Sequence, residues 1–300
     1  MSAIGAAIYH DVGFWSSCEQ VVYFRPSLLK LTPGLKVTAN VGGTRPFDQA
    51  ALQQVLDEAA KKGDLVRMQA SAWLPGRLLG PFRYEGTRAD DPNDIIPHQD
   101  RRELRGARLL AAWLNHFDAR EQNSMDSWIA LDPAAPASSP GHVRHYYLDT
   151  SDCFGSEWAW DGISRRLGYS YLLDFEHVGE DLLTLGLLDR PWDRAARTPG
   201  QEIFGYFNAK DFVPEKWQNE YSNPAFDRMR ERDGAWMARI LARFTPDHLH
   251  ALVKAGAFSK PENSAHLQQL LQARLDRLLK RYLTRLSPLS DLRVESHDRL

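Results

Sequence analysis

An α+β protein with a mainly helical C-terminal half is the fold that this 300-residue sequence predicts. The β-rich runs lie before residue 150, where they alternate with amphipathic helical segments. Beyond residue 156, apolar residues recur at helical spacing, most regularly over 263–286. Apolar residues make up 43% and charged residues 25% of the chain, which excludes a mainly disordered, collagen-like or coiled-coil protein.

Two helices and two strands are predicted in the first 75 residues. Apolar residues at near-helical spacing predict a helix over 3–12, which a glycine ends. The β-rich run Glu19–Phe24 predicts a strand. Prolines and glycines predict a loop over 30–46. An amphipathic helix over Phe47–Ala60 and a strand over Leu65–Leu74, stopped by a Pro-Gly pair, follow.

The next 75 residues are predicted to hold one helix and a hairpin. Gly76–Pro97 is irregular, and connections of that length often carry function. A buried apolar stripe predicts a helix over Gln99–Asn115. Strands over Ser127–Leu131 and Val143–Leu148 flank the flexible tip 132–141, so we expect a hairpin with a long loop.

The C-terminal region is predicted to be helical. Thr245 supplies a capping hydroxyl and Pro246 a first-turn proline, which predicts a helix start. The leucine-rich stretch 263–286 predicts a long amphipathic helix packed on the body of the protein.

Composition also limits the partners. With 37 basic and 39 acidic residues the net charge is -2, which argues against a protein that coats nucleic acid or an anionic membrane. We expect no membrane span, since no run of eighteen uncharged apolar residues occurs. The two cysteines, Cys18 and Cys153, exclude a disulfide scaffold and suit a reducing compartment, so we expect a cytoplasmic protein.

One motif carries chemistry. His116, Asp118 and Asn123 form the pattern H-x-D-x-x-x-x-N directly after the predicted helix. In phosphoryl transfer an Asp orients the attacking hydroxyl and accepts its proton, and an Asn five residues later holds Mg²⁺. A second metal ligand is expected after the hairpin, where Asp149 ends an apolar strand and Asp152 is the alternative.

The residues around this motif resemble an uncharacterised bacterial family that in turn resembles atypical protein kinases, the HipA-type and spore-coat kinase-like proteins. The similarity covers about residues 65–175 and is carried, besides Asp118 and Asn123, by Pro92–His98 (PNDIIPH), Arg101–Gly106 (RRELRG) and Ala111–His116 (AAWLNH).

The resemblance implies a protein-kinase-like fold, with a reduced N-terminal small lobe over 1–74 and a mainly helical large lobe over 75–300. It implies an ATP- and Mg²⁺-dependent phosphotransferase acting on a hydroxyl acceptor, either a protein or a small molecule. From the balanced charge we expect no nucleic acid partner. Asp118 would be the catalytic base and His116 its brace. Asn123 with Asp149, or Asp152, would bind the metal.

The resemblance also implies an adenine site. Leu65–Trp73 would be the last strand of the small lobe. The hinge beside the adenine would contain the residues Ser71, Trp73, Leu74 and Gly76.

The sequence departs from the kinase pattern at its start. No Gly-rich loop precedes residue 34, Gly42-Gly43 is a weak candidate, and the first lysine, Lys30, lies in a predicted loop. We therefore expect a chain that is truncated or degenerate. The alternative function is a catalytically inactive pseudokinase that serves as a binding or scaffolding module.

Further polar residues allow a third hypothesis, a metal-dependent phosphohydrolase. Its metal ligands would come from the His/Asp residues His98, Asp100, His116, Asp118, His142 and His145. Their spacing matches no zinc signature, so we expect the histidines to be structural or surface residues. Arg102 and Arg105 are candidate phosphate contacts on a helix face that more often forms salt bridges. Trp158 and Trp160 are expected to pack in the core or between lobes.

Overall fold

Two compact units make up the chain. A computed structural model describes residues 1–38, 43–132, 134, 140–155 and 161–285. The small unit is Cys18–Ala72, and the large unit combines Met1–Ser17 with the chain from Trp73 onward. The mixed α+β composition with a helical C-terminal part is confirmed. The division differs from the predicted 1–74 small lobe, because the first 17 residues belong to the large unit.

The described residues form helices and strands in the following order. The α-helices are α1 (Ser2–Val12), α2 (Gln49–Glu58), α3 (Arg102–Leu114), α4 (Asp161–Arg166), α5 (Phe175–Thr184), α6 (Pro224–Asp227), α7 (Glu231–Leu241), α8 (Pro246–Lys254) and α9 (Pro261–Leu283). The strands are β1 (Trp15–Ser16), β2 (Glu19–Phe24), β3 (Lys36–Thr38), β4 (Thr44–Pro46), β5 (Lys61–Lys62), β6 (Leu65–Ser71), β7 (Arg77–Gly80), β8 (Ser124–Ala130) and β9 (Gly141–Tyr147).

The small unit is a three-stranded antiparallel sheet with one helix. The strand order is β2-β6-β5, and Leu52 and Leu56 of α2 pack with Val66 of β6. The Asp48 side chain caps α2 by accepting from the Ala51 N–H at 3.0 Å. The loop predicted over 30–46 is wrong in part, because β3 and β4 form a short hairpin there. Three-residue strands are too short to show an alternating pattern.

The large unit contains a four-stranded sheet in the order β1-β9-β8-β7. Strands β8 and β9 form the predicted hairpin, with Ser124 opposite Tyr147 and Ala130 opposite Gly141. Two edge strands were missed. Strand β7 lies inside the stretch predicted to be irregular, and β1 adds to β9 in parallel through two residues. Strand β1 is shorter than the runs that predict a strand from sequence. The four residues of β7 are at their lower limit, follow a Pro-Gly pair and end at the glycine of a Gly-Pro pair.

Helix α3 is the centre of the helical core. Leu109, Leu110 and Trp113 are fully buried, and the Trp113 indole N–H donates to the Leu271 carbonyl of α9 at 2.9 Å. The predicted long C-terminal helix is confirmed as α9. Helix α8 begins at the predicted cap, where Thr245 Oγ1 accepts from the His248 N–H at 3.2 Å.

A buried arginine holds the C-terminal end of α3. Arg274 of α9 donates to the carbonyls of Ala112, Trp113 and Asn208 at 2.6, 2.8 and 2.7 Å. Its guanidinium lies over the Phe212 ring at 3.6 Å from the centroid. Burial lowers the pKa of Arg274 to about 9. The cation therefore compensates the negative end of the helix dipole directly before the functional loop.

Some predicted features lie outside the described residues, namely Gly42 and the tryptophans Trp158 and Trp160. Within the described part of the chain, no helix combines the length and apolarity needed to cross a bilayer.

We predict that Arg274→Met lowers the free energy of unfolding by about 3–5 kcal/mol, because three buried carbonyls lose their charged donor. Urea unfolding followed by circular dichroism measures it. Arg277→Met, at an exposed position of the same helix, is the matched control. A loss below about 1 kcal/mol for Arg274→Met would contradict this role of the cation.

Candidate active site

The turn that ends α3 starts the candidate site. Asn115 adopts a left-handed conformation with φ 54°, which turns the chain out of the helix. The Asn115 side chain accepts from the Trp217 indole N–H at 2.9 Å. Phe117, fully buried, then anchors the loop that carries His116 and Asp118. The direction of this loop is therefore fixed by core packing at both ends of the turn.

Asp118 and Asn123 are in direct contact within this loop. The Asn123 Nδ2 donates to the Asp118 backbone carbonyl at 2.9 Å and to Asp118 Oδ2 at 2.8 Å. Because the amide nitrogen is used in this way, the Asn123 Oδ1 is the atom left to face a ligand. The predicted loop thus brings one carboxylate and one amide oxygen together.

His116 joins the loop to the end of β9. Its Nε2 lies 3.0 Å from the Asp149 carbonyl oxygen, and its Nδ1 lies 2.8 Å from the Tyr9 hydroxyl. A carbonyl only accepts, so Nε2 carries the proton and Nδ1 accepts from Tyr9. Burial lowers the pKa of His116 to about 4, which keeps the ring neutral. His116 is therefore a positioning residue between two segments.

Asp149 lies two residues after the end of β9, with Leu148 between them. The Leu148 N–H donates to the Asn123 carbonyl at 3.0 Å, which places the two predicted ligand positions on adjacent backbone. Asp149 Oδ1 accepts from the Ser151 N–H at 2.9 Å and the Ser151 hydroxyl at 2.6 Å. The side chain is exposed, and its Oδ2 is not used by these bonds.

The predicted carboxylates Asp118 and Asp149 are close enough for the charge of one to act on the pKa of the other. Burial raises the pKa of Asp118 most, and the negative charge of Asp149 raises it further. A hydrogen bond from Asn123, the positive charge of Arg120 and a hydrogen bond with Asp152 lower the pKa of Asp118. Asp152 is therefore also within reach of Asp118.

Two charged residues that the sequence analysis did not assign complete the site. The Arg120 Nε lies 2.7 Å from Asp118 Oδ1, without the alignment of a hydrogen bond. Glu220 arrives from a loop about a hundred residues later, and its N–H donates to the Phe117 carbonyl at 2.7 Å. No local sequence pattern predicts that Glu220 belongs to the site, because the residues it contacts there are distant in sequence.

Glu220 is buried without full compensation. It is 4% exposed, and neither carboxylate oxygen accepts an aligned hydrogen bond from the described residues. Burial, and after it the negative charges of Asp118 and Asp152, raises the pKa of Glu220 to about 7, although the charge of Arg120 and a hydrogen bond from Tyr221 act to lower it. The site therefore holds more negative charge than Arg120 can balance.

The donor atoms suit Mg²⁺ in type. Mg²⁺ prefers oxygen ligands and commonly takes only one or two carboxylates, with water and substrate phosphates completing its shell. Asn123 Oδ1 and Asp149 Oδ2 are such oxygens. Among the described residues, no three His, Cys, Asp or Glu side chains group closely enough to hold a metal by themselves.

The predicted hinge residues lie along one connecting segment. Ser71 ends β6 in the small unit, whereas Trp73, Leu74 and Gly76 belong to the large unit. Trp73 is 85% exposed. Gly76 has φ +82°, and a Cβ there would lie 2.2 Å from the Trp128 carbonyl oxygen, so this position needs glycine.

Two further histidines of the metal hypothesis are engaged elsewhere in the large unit. His98 Nε2 contacts Asp94 Oδ2 at 2.8 Å, and His145 Nδ1 contacts Asp126 Oδ1 at 2.5 Å. These contacts tie the segment before α3 and the strand β9 to their surroundings.

Of the two arginines flagged as phosphate contacts, Arg105 forms a two-point ion pair with Asp233 of α7, at 2.7 and 3.0 Å. Arg102 is exposed, and its charge contributes to lowering the pKa of Asp233. The helix face thus forms a salt bridge, as the more common outcome for such arginines predicts.

Comparison of the chain with known protein families, with curated proteins and with solved structures gives no match in any of the three.

We predict that the His116 brace makes stability depend on pH. Its folded pKa, about 4, lies below the ordinary 6.5, so the stabilisation is complete above 6.5 and is lost as the pH falls toward 4. From pH 7 to pH 4, the free energy of unfolding should fall by about 2–3 kcal/mol more in the native chain than in His116→Gln. Urea unfolding at both pH values measures the difference, and parallel losses would contradict it.

We predict that Glu220→Gln stabilises the protein at alkaline pH. Because the folded pKa of Glu220, about 7, is raised, its charge opposes folding increasingly as the pH rises from 4.5. The variant should gain about 1–3 kcal/mol at pH 8, and the gain should shrink toward pH 4.5. Thermal unfolding measures it, with exposed Glu85→Gln as the control. An equal effect at both pH values would overturn this assignment.

Proposed function

We propose that the protein is an ATP- and Mg²⁺-dependent phosphotransferase of atypical kinase type that acts on a hydroxyl acceptor. The observation that carries the proposal is the contact set around one loop. Asn123 is bonded to Asp118, and His116 is bonded to the backbone of Asp149. A general base and two oxygen ligands on adjacent backbone are what phosphoryl transfer requires, since it depends on positioning and charge stabilisation.

Asp118 has the properties of the base. Its carboxylate is held in one orientation by the Asn123 amide, and its pKa is raised by burial and by Asp149. A raised pKa makes the carboxylate a stronger proton acceptor. In the proposed reaction Asp118 orients the acceptor hydroxyl and takes its proton as the hydroxyl oxygen bonds to the terminal phosphorus and the bond to ADP breaks.

Asn123 and Asp149 would hold the metal, through Oδ1 and Oδ2 respectively. When bound, Mg²⁺ neutralises charge on the phosphate oxygens. Asp152, close to Asp118, is the alternative ligand. Ser151 fixes one oxygen of Asp149 and so limits its rotation, which favours a defined ligand geometry.

One observation favours the alternative, a pseudokinase that binds without turnover. Among the described residues of the small unit, the lysine–carboxylate pair is Lys61 with Asp57, at 3.7 Å and with both side chains exposed. An exposed pair of this kind does not provide the buried lysine that orients phosphates in kinases. Retention of Asp118, Asn123 and Asp149 favours the enzyme.

We predict that Mg–ATP raises the midpoint of thermal unfolding of the full chain and that Asp149→Ala removes this rise, because a metal ligand is lost. Asp118→Asn should keep the rise but reduce ADP release by at least about 100-fold, because proton acceptance is lost. Asp276→Asn, on the exposed face of α9, is the control and should match the native chain in both measurements.

Three results would count against the proposal. ATP turnover that survives Asp118→Asn or Asp149→Ala unaltered would overturn the residue roles. A thermal shift without turnover in the native chain would favour the pseudokinase. No shift at millimolar Mg–ATP would favour a module that does not use nucleotide.

A further inference from the structure

A second concave site lies in the large unit, lined by the segment 13–15, by β9 and by the first turn of α3. This aromatic cleft has a volume of about 320 Å³. Six aromatic side chains share its lining, namely Phe14, Trp15, Phe82, Tyr84, Tyr146 and Tyr147. A cleft of this size and character accommodates one or two fused rings, which pack on aromatic side chains by offset or edge-to-face contacts.

Two hydroxyl groups in the cleft lack aligned partners. Tyr84 is 1% and Tyr147 is 7% exposed, and neither phenolic oxygen makes a hydrogen bond of acceptable distance and angle within the described residues. The two phenols lie close enough to act on each other as a hydrogen-bonded pair, although the pair is not well aligned, and burial raises the pKa of Tyr147 to about 12. A pair of hydroxyls uses only one of its two donor hydrogens between its members. The second hydrogen has no aligned acceptor among the described residues, so it suits a polar group of a ligand inside the cleft.

Two arginines and one glutamate line the cleft, and one of the arginines is paired with an aspartate. Arg144 lies with its guanidinium 4.0 Å from the Trp15 ring centroid and forms no ion pair with a carboxylate of the described chain. Arg101 also lines the cleft and keeps part of its surface exposed while bound to Asp94. Glu103 is the opposing charge on the lining, at an exposed position.

The start of α3 adds to this charge. Arg101, Glu103 and Leu104 line the cleft at the first turn of the 13-residue helix. No side chain caps that turn, so its free N–H groups and the positive end of the helix dipole are available to an anion. The apolar walls and the cationic edge together select a ligand with both a ring system and a negative charge.

We propose that this cleft binds a small hydroxylated aromatic carboxylate. The ring system lies among the aromatic side chains, the carboxylate pairs with Arg144 and the N-terminal end of α3, and the ring hydroxyl meets the phenols of Tyr84 and Tyr147. Planar guanidinium groups pair with carboxylates through two parallel hydrogen bonds, which explains an arginine at this position. The site is independent of the phosphotransferase proposal.

The test is direct binding to the full chain. We choose 6-hydroxy-2-naphthoate as the probe and its neutral twin, 6-hydroxy-2-naphthamide, as the comparison, each titrated calorimetrically. The naphthoate should bind at least about 10-fold more tightly than the amide, because only it pairs with the cationic edge. Arg144→Gln should remove this difference, and Tyr84→Phe should weaken both probes.

Arg243→Gln, an exposed arginine remote in sequence, is the charge-matched control and should leave binding unchanged. Equal affinity for both probes, or an unchanged preference for the carboxylate in Arg144→Gln, would overturn the assignment of charge. Absence of binding at 10 mM of either probe would overturn the site itself. Tyr84→Phe removes only a hydroxyl, so it tests the cleft even if another variant fails to fold.

Discussion

A neutral, buried imidazole ties the functional loop to the end of β9. His116 accepts from Tyr9 through one nitrogen and donates to the Asp149 carbonyl through the other. Together with the Leu148 N–H, which donates to the Asn123 carbonyl, this contact holds the segments of Asp118 and Asp149 side by side. A protonated ring would have two donors facing one acceptor and one hydroxyl, so burial of the neutral form also fixes the direction of both bonds. The loop geometry thus depends on the exclusion of water from the core around His116.

The same core holds the loop from its other side. Arg274 fixes the last carbonyls of α3, and Asn115 turns the chain toward Asp118. This rigid core holds an unfavourable group of like charges in place. Glu220 remains buried beside Asp118 and Asp152, and its pKa is raised as a result. A buried carboxylate without full compensation opposes folding. Proteins commonly retain such groups where a site must present its polar groups before the ligand binds.

Local sequence pattern was sufficient for elements whose contacts are local. Helix α3 and the H-x-D-x-x-x-x-N motif were predictable because apolar spacing and loop chemistry lie within a few residues. Strand β7 was not, because Gly and Pro surround four residues that pair with a strand more than forty positions later. Arg274 and Glu220 were also missed, since each acts on residues about a hundred or more positions away. Their roles arise from tertiary packing, which leaves no periodic trace in the sequence.

In the proposed site, Asn123 and Asp149 offer oxygen atoms to one divalent cation next to Asp118. A crystal of the full chain grown with Mn²⁺ and a non-hydrolysable ATP analogue tests this arrangement by anomalous scattering. We predict one strong peak bonded to Asn123 Oδ1 and an Asp149 carboxylate oxygen, with the analogue's phosphates completing the shell. A peak bonded to neither residue, with the two side chains directed into separate pockets, would contradict it.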